Sequence, residues 1–428
     1  LAAQKVQRFL LDNAVVTSVM DPDKECDSLL TPPVLSALQT EVDEALRDVV
    51  GQDLRLCYPS GGSYRSPYIF TDLDGDEEAE AVVFYTVENE PLVYLQILDH
   101  TEGRWRAHNA LPGTEGEVLF VDFRHLSGDD ATDLLVGWRE PDRDFDTLYL
   151  YRYREGSLTE EFHVSCDGVA IGDFTGDGAE ELICATLDGG VTLQLIGWGG
   201  TGISVLDSAY SSLRLQTITG SVTGRIEDAL PGAAFSGRIN AEMSASLLVG
   251  VQSGRLVLPQ EDTFTGYSET YCYSGASPAD INNDGIVEVP WSNAVPGISA
   301  GSREDTRYFT EYRALQNGSY TTIAACYQNT ADGWRLILPE GLYELYWQNG
   351  LTLSRQAETR EVVFRQYTGH LNENGREYLR LRVTAGNETA PEGYTLLNSR
   401  GQFSYYASIP LGSPLSMAEV DQNFSLLG

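Results

Sequence analysis

The sequence predicts a mainly β fold, in which a five-bladed β-propeller is preceded by an N-terminal helical lead and followed by a small C-terminal α+β domain. Two observations lead to this prediction. An Asp-rich loop followed by a short apolar strand recurs along the middle of the chain. Each copy is followed by alternating residues that turn back as hairpins, so that one unit supplies about four strands. Units of about 40 to 50 residues with four strands are typical of propeller blades.

Composition limits the function classes. The chain has 428 residues, of which 42% are hydrophobic, which is enough for real cores. Its 63 acidic and 28 basic residues give a formal net charge of −35. A chain this acidic repels phosphate backbones, so the sequence excludes nucleic acid as a favoured partner. No apolar run reaches the roughly 18 residues that a membrane helix needs.

The repeats define the propeller. Four copies occupy residues 70–84, 121–138, 171–186 and 278–291, and the last gap is about twice as long as the others. A fifth copy at residues 234–250 fills that gap, keeping the apolar strand and losing the acids. We expect residues 68–73 to supply the missing fourth strand of the last unit and so close the ring. The alternative is a six-bladed ring that recruits part of the C-terminal segment.

The flanking segments differ from the repeats. Thr31 is the expected N-cap of a helix that ends at Gly51, with prolines in its first turn. Beyond residue 331 we predict strands, including residues 342–355, and then a helix with a capping box formed by Ser416 and Glu419. The expected domains are therefore a helical lead (1–54), a propeller (55–330) and an α+β domain (331–428).

The acidic loop of the last unit has the spacing of a cation site. Oxygens at loop positions 1, 3, 5 and 9 converge when the loop coils tightly, and Gly285 at position 6 permits a positive φ. The carbonyl at position 7 can add a further ligand. An all-oxygen, carboxylate-rich set suits Ca²⁺ better than zinc. The expected ligands are Asp280, Asn282, Asp284, Ile286 and Glu288.

Other units repeat this pattern with decreasing quality. The first has Glu77 at position 6, where a positive φ costs about 1 kcal/mol. In the third, Thr175 replaces one acid. The expected structural Ca²⁺ ligands are Asp72, Asp74, Asp76 and Glu80 in the first unit, and Asp173, Asp177 and Glu181 in the third. The second unit keeps Asp122, Asp129 and Asp133 in a longer loop, and the fourth, with only Asn240 and Glu242, should bind nothing. The alternative is that these are ordinary Asp/Gly turns.

Cysteine spacing gives a weaker signal. None of the six cysteines forms a CxxC pair, which excludes a zinc ribbon or a thioredoxin-like motif. Cys272 and Cys326 are the favoured disulfide pair. The alternative is that the cysteines are buried thiols.

The recurring D-x-D-x-D-G-x-x-E loops resemble those of FG-GAP and VCBS repeats, the integrin-type β-propellers. This resemblance covers about residues 65–330 and implies calcium in the loops and a place at the cell surface or outside the cell. The segments at residues 29–85 and 327–341 resemble uncharacterised exported lipoproteins of Gram-positive anaerobes. That resemblance implies membrane attachment only through a lipid anchor ahead of Leu1.

No catalytic constellation stands out. Gly297, Ser299 and Gly301 match G-x-S-x-G, but a loop and a strand follow where a nucleophile elbow needs a helix. The sequence therefore predicts a non-catalytic, extracellular binding protein whose calcium-supported propeller presents loops to a protein or glycan. Two alternatives remain open: a propeller glycoside hydrolase with axial carboxylates, and a purely structural envelope component.

Overall fold

The computed structural model describes residues 36–427, except 109, 114–115, 128–131, 140–145, 155, 262–265, 274, 298–307, 357, 370–374 and 387. The fold in this part of the chain is mainly β, with antiparallel sheets that we number from one to six in chain order. None of its helices combines the length and the hydropathy that a membrane crossing requires.

Helix α1 (Ala37–Val50) precedes the sheets. Ser36 caps it, because its hydroxyl accepts the Gln39 amide hydrogen and the Gln39 side chain accepts in return. The N-cap is therefore Ser36 and not the expected Thr31, which lies outside the described residues, whereas the helix ends before Gly51 as predicted. Val42 and Leu46 are fully buried in an apolar cluster with strands of the first sheet, so α1 packs on that sheet.

The first three sheets each hold an acidic loop between two neighbouring strands. Sheet one contains β1 (Leu54–Cys57), β2 (Tyr68–Thr71), β3 (Glu80–Val87), β4 (Val93–Thr101), β5 (Arg104–Ala107) and β6 (Leu111–Pro112). Sheet two contains β7 (Glu117–Arg124), β8 (Asp133–Arg139), β9 (Asp146–Arg154) and β10 (Ser157–Cys166). Sheet three contains β11 (Gly168–Gly172), β12 (Glu181–Leu187), β13 (Val191–Trp198) and β14 (Ile203–Ser211).

The last three sheets follow in the same order along the chain. Sheet four contains β15 (Thr217–Glu227), β16 (Leu230–Arg238), β17 (Ser244–Gln252) and β18 (Arg255–Val257), and a 3-10 helix (Gly266–Thr270) follows it. Sheet five contains β19 (Val289–Ala294), β20 (Tyr308–Gln316), β21 (Ser319–Asn329), β22 (Trp334–Ile337) and β28 (Phe424–Leu426). Sheet six contains β23 (Leu351–Gln356), β24 (Glu361–Gln366), β25 (Glu377–Ala385), β26 (Thr395–Arg400) and β27 (Phe403–Ser408).

Apolar clusters join consecutive sheets. The cluster between sheets one and two contains the fully buried Trp138. Further clusters join sheets two and three, three and four, four and five, and five and six. The first five sheets therefore pack in chain order, as propeller blades do.

Two strands lie elsewhere than expected. Strand β2 was the expected closing strand of the last unit, but it pairs with β3 inside sheet one, with Tyr68 opposite Val83. The edge of sheet five is instead extended by β28, which pairs with β22. The predicted closure was wrong because the acidic loop joins β2 and β3 as neighbours, and such a short connection favours pairing within one sheet.

Sheet five continues beyond residue 330. Strands β21 and β22 form a hairpin with Asn329 opposite Trp334 and a left-handed Gly333 in the turn. One apolar cluster then joins sheet five to sheet six. The C-terminal residues thus share a core with the last of the five consecutive sheets.

The segment at residues 342–355 is expected to be a strand. In the structure its first half belongs to helix α2 (Glu340–Trp347), and its second half belongs to strand β23. Pro339 precedes the helix with φ of −58°, and Glu340 lies in its first turn, where a carboxylate is favoured. The segment is helical because Leu342 and Tyr346, one helical turn apart, are both buried on the same face. Helix α3 (Met417–Asn423) confirms the predicted capping box of Ser416 and Glu419.

The cysteines are thiols at all five described positions. Cys272 and Cys326 lie in one buried cluster with Ala276 and Tyr312, without a disulfide between them, which corrects the favoured pairing. Burial raises the pKa of the Cys326 thiol to about 12. Cys26 lies outside the described residues.

Close packing in sheet four gives a test of the fold. A Cβ on Gly232 of β16 would lie 2.0 Å from the Val249 carbonyl oxygen of the neighbouring strand. We expect Gly232→Ala to lower the free energy of unfolding by about 1–3 kcal/mol, because a backbone strand must move. Urea denaturation measures this change. The matched control is Gly220→Ala in β15, where the nearest atom is 3.9 Å away, and equal losses in both variants would contradict the packing of sheet four.

Candidate cation-binding loops

The same kind of buried hydrogen bond recurs in four acidic loops. In each, a carboxyl group accepts the amide hydrogen of the residue seven positions earlier. Glu80, Asp133 and Glu181 begin the strand that follows their loop, and Glu288 immediately precedes β19. The N···O distances are 2.6 Å for Leu73 and Glu80, 2.8 Å for Leu126 and Asp133, 2.8 Å for Phe174 and Glu181, and 2.8 Å for Ile281 and Glu288. All four carboxyl groups are buried, at 0–3% exposure. We call these loops one, two, three and five, after the sheets that hold them, and they differ in the partner of the second carboxyl oxygen.

In loop one, that second oxygen is buried without a partner. Oxygens of Asp72, Asp74 and Glu80 lie within 4.8 Å of one another, while Glu80 Oε1 and Asp74 Oδ1 have no hydrogen-bond partner. Asp76 accepts the Glu78 amide hydrogen at 2.8 Å, and Asp72 accepts those of Gly75 and Glu77. Unpaired carboxyl oxygens are costly in a buried site unless a proton or a cation meets them.

The electrostatics of loop one reflect this crowding. Burial raises the pKa of Glu80 to about 8, and the neighbouring aspartates add to the shift. Burial and the charge of Asp76 raise the pKa of Asp74, and the charge of Asp99 in strand β4 adds to this rise. Asp99 is not among the residues predicted from the sequence, because it lies 19 residues after Glu80 and outside any loop spacing. The expected positive φ of Glu77 is present at 72°.

Loop five repeats the unpaired oxygen in a wider arrangement. Glu288 Oε1 is buried without a partner, and burial raises the pKa of Glu288 to about 7. Asp280 accepts the amide hydrogens of Asp284 and Gly285 at 3.0 and 2.8 Å. Among the described residues, carboxyl oxygens of three acids lie within 4.8 Å of one another in loops one and three, but not in loop five.

Side chains inside loop five contact each other. Asn282 donates its carboxamide hydrogen to Asp284 at 2.8 Å, and the Ile286 amide donates to Asp284 at 2.7 Å. These two hydrogen bonds lower the pKa of Asp284. Arg225 of sheet four donates to the Asp284 carbonyl oxygen. The loop ranked first by sequence is therefore less compact than loops one and three.

In loop three, the second oxygen has a partner from the chain itself. The Thr175 hydroxyl donates to Glu181 Oε1 at 2.9 Å. Asp173, Asp177 and Glu181 still group within 4.8 Å, and burial raises the pKa of Glu181. The Thr175 that replaces an acid thus satisfies the buried carboxyl group.

In loop two, an internal guanidinium group meets the buried carboxylate. Arg152 of strand β9 is 5% exposed and lies 2.6 Å from Asp133 Oδ1. Burial raises the pKa of Asp133, and the charge of Arg152 opposes that rise. Asp122 pairs with Arg124 instead, at 2.6 Å. Asp129 lies outside the described residues.

Sheet four has no acidic loop between its first two strands. Its first two strands are joined through Asp228 and Ala229, so the segment with Asn240 and Glu242 lies one connection later, between β16 and β17. The copy expected at residues 234–250 is therefore displaced by one strand, because β16 and β17 carry similar buried apolar runs.

The loops of neighbouring sheets are hydrogen-bonded to each other. The Thr132 amide donates to Leu73 O at 3.1 Å, and the Glu180 amide donates to His125 O at 3.0 Å. Arg225 N donates to Gly285 O at 2.9 Å. The acidic loops therefore line the same end of consecutive sheets.

Comparisons with known proteins add little beyond this geometry. No protein-family model matches the chain, and no curated protein matches it. Similar solved structures include a rhamnogalacturonan lyase of Bacillus licheniformis, with 12% identity and a TM-score of 0.30, covering 56% of this chain and 58% of the lyase. The chain thus spans less than two thirds of that lyase.

Two other solved structures are matched over more of their length. Sqt1 of Saccharomyces cerevisiae has 10% identity and a TM-score of 0.33, covering 83% of this chain and 95% of Sqt1. BBS1N, solved in complex with ARL6DN, has 12% identity and a TM-score of 0.28, covering 85% and 99%. These neighbours are β-rich, but identities and scores this low carry no argument about function.

Proposed function

We propose that this is a non-catalytic binding protein of the cell surface, in which structural Ca²⁺ supports a five-bladed propeller formed by sheets one to five. The helical lead and sheet six are accessory parts, whereas β22 and β28 belong to sheet five. The ligand is an extracellular protein or glycan, and the lipid anchor implied by the resemblance is part of the same proposal.

The proposal that these loops bind Ca²⁺ rests on the buried, unpaired oxygen of Glu80 beside Asp72 and Asp74. The donor set is all oxygen and rich in carboxylates, which suits Ca²⁺ with its six to eight flexible ligands. In loop two Arg152 supplies a positive charge at the corresponding carboxylate, and in loop three Thr175 supplies a hydrogen bond. Loops one and five have neither at their unpaired oxygens and are therefore the proposed Ca²⁺ sites.

Residues with roles in this proposal act by holding the cation. Asp72, Asp74, Asp76 and Glu80 would bind it in loop one, and Asp280, Asp284 and Glu288 in loop five. Bound Ca²⁺ would neutralise carboxylates that otherwise repel one another where a loop enters its sheet. The site thus stabilises the strands and needs no reacting group.

Calorimetric titration of metal-stripped protein with Ca²⁺ tests the proposal. We expect two sites in the unaltered chain and one site in each of Glu80→Gln and Glu288→Gln, because each variant loses one buried charged ligand. Glu181→Gln is the control and should keep two sites. An absence of binding at millimolar Ca²⁺, or an unchanged stoichiometry in Glu80→Gln, would refute the cation part of the proposal.

A further inference from the structure

Sheet four has a short turn where the neighbouring sheets have an acidic loop. This turn leaves a cleft at the end of the sheets where the acidic loops lie. The tight turn through Asp228 and the β20–β21 turn of sheet five form its two sides. The cleft has a volume of about 500 Å³, within the size range of small-ligand sites. Its polar lining consists of Glu227, Asp228, Gln252, Gln316 and Asn317.

The lining has a defined chemical character. The lining residues carry two carboxyl groups and three carboxamides, and the accessible apolar part consists of Ala229 and the half-buried Leu230. Leu315, which also lines the cleft, is buried in the cluster joining sheets four and five. No Lys or Arg is among the residues that line it. In a chain of net charge −35, such a cleft attracts a cation and repels an anion.

One wall of the cleft is fixed by a side chain from outside it. Arg225 Nη1 donates to the Asp228 carbonyl oxygen at 2.9 Å, and its Nη2 donates to the Asp284 carbonyl oxygen of loop five. The turn that carries Asp228 is therefore held against the neighbouring sheet. A wall held in this way lowers the ordering cost of binding.

We propose that this cleft binds an alkylammonium or guanidinium group carried on an apolar stem. The stem lies on Ala229 and Leu230, and the cationic head meets Glu227 and Asp228. A Lys or Arg side chain of a partner and a small polyamine share this chemistry. The proposal rests on the binding role proposed above, but it does not require an occupied Ca²⁺ site.

Calorimetric titration with two probes separates these sources: spermidine, and an acetylated, amidated peptide with one central Lys between glycines. The double variant Glu227→Gln/Asp228→Asn keeps the shape of the cleft and removes both charges. We expect it to weaken binding of whichever probe binds by about tenfold, since the variant removes both carboxylates that meet the cationic head. Binding of the peptide supports a protein partner, and binding of spermidine alone supports a polyamine.

The matched control is Glu44→Gln/Asp48→Asn, which removes two exposed charges from helix α1. It should weaken binding less than about twofold, because distant exposed charges are screened. Equal losses in both double variants would overturn the proposal, as would equal binding of the peptide with norleucine in place of Lys. The proposal would also be overturned if the protein bound maltotriose, a glycan without a cationic group, and neither spermidine nor the Lys peptide. Titrations in EDTA keep the outcome separate from that of the Ca²⁺ sites.

Discussion

Replacing Arg152 with Met is expected to lower the free energy of unfolding by about 3–5 kcal/mol, because it leaves Asp133 as a buried charge without its partner. Asp133 is fully buried, and its pair with Arg152 is 2.6 Å long. Met retains much of the apolar stem, so the loss reports mainly on the charge. Urea denaturation in EDTA measures it without interference from added cations.

Two further variants make the Arg152 experiment decisive. Arg139→Met removes an exposed guanidinium group of sheet two, whose ion pairs are 3.4 and 3.6 Å long, and should cost less than about 1 kcal/mol. The double variant Asp133→Asn/Arg152→Met removes both charges and should recover part of the stability. If Arg152→Met behaved like Arg139→Met, Arg152 would not neutralise loop two.

Calcium is expected to have the second large effect. A site with a dissociation constant of about 10 μM gains about 2.7 kcal/mol at about 1 mM Ca²⁺, because the ligand is in hundredfold excess. We expect Glu80→Gln to lose that gain for loop one while keeping the gain from loop five. Thermal unfolding in EDTA and in Ca²⁺ measures both, with Glu181→Gln as the control that should respond like the unaltered chain.

When no cation is present, the same variant should become more stable than the unaltered chain as the pH rises. The pKa of Glu80 rises from 4.5 to about 8 on folding, so the proton is bound more tightly by the folded state. Stability from this group is complete below pH 4.5 and is lost as the pH rises through about 8. In EDTA at pH 9, Glu80→Gln should therefore be more stable than the unaltered chain, whereas at pH 4.5 the two should be similar. Greater stability of the unaltered chain at pH 9 would contradict the unpaired state of this carboxyl group.

Local features of the fold were readable from the sequence, and distant partners were not. The capping box at Ser416 depends on residues three apart, and the strained Glu77 follows from loop spacing, so both were predicted correctly. The pairing of β28 with β22 joins residues separated by all of sheet six, and no local pattern encodes it.

The same limit applies to the candidate sites. Spacing identified Asp72, Asp74 and Glu80 because all of them lie in one loop. It could not reveal that Arg152 meets Asp133, since the two side chains come from different strands. Nor could it rank loop five below loop one, because spacing does not show that Asn282 and Asp284 bond to each other.

The late addition of β28 has a consequence for synthesis of the protein. A ribosome releases β22 well before β28, with the whole of sheet six between them. During that interval the exposed backbone of β22 can pair with a strand of another nascent chain, which is a common route to aggregation. Slow translation of sheet six would lengthen this interval, and a chaperone that shields strand edges would have its greatest effect there.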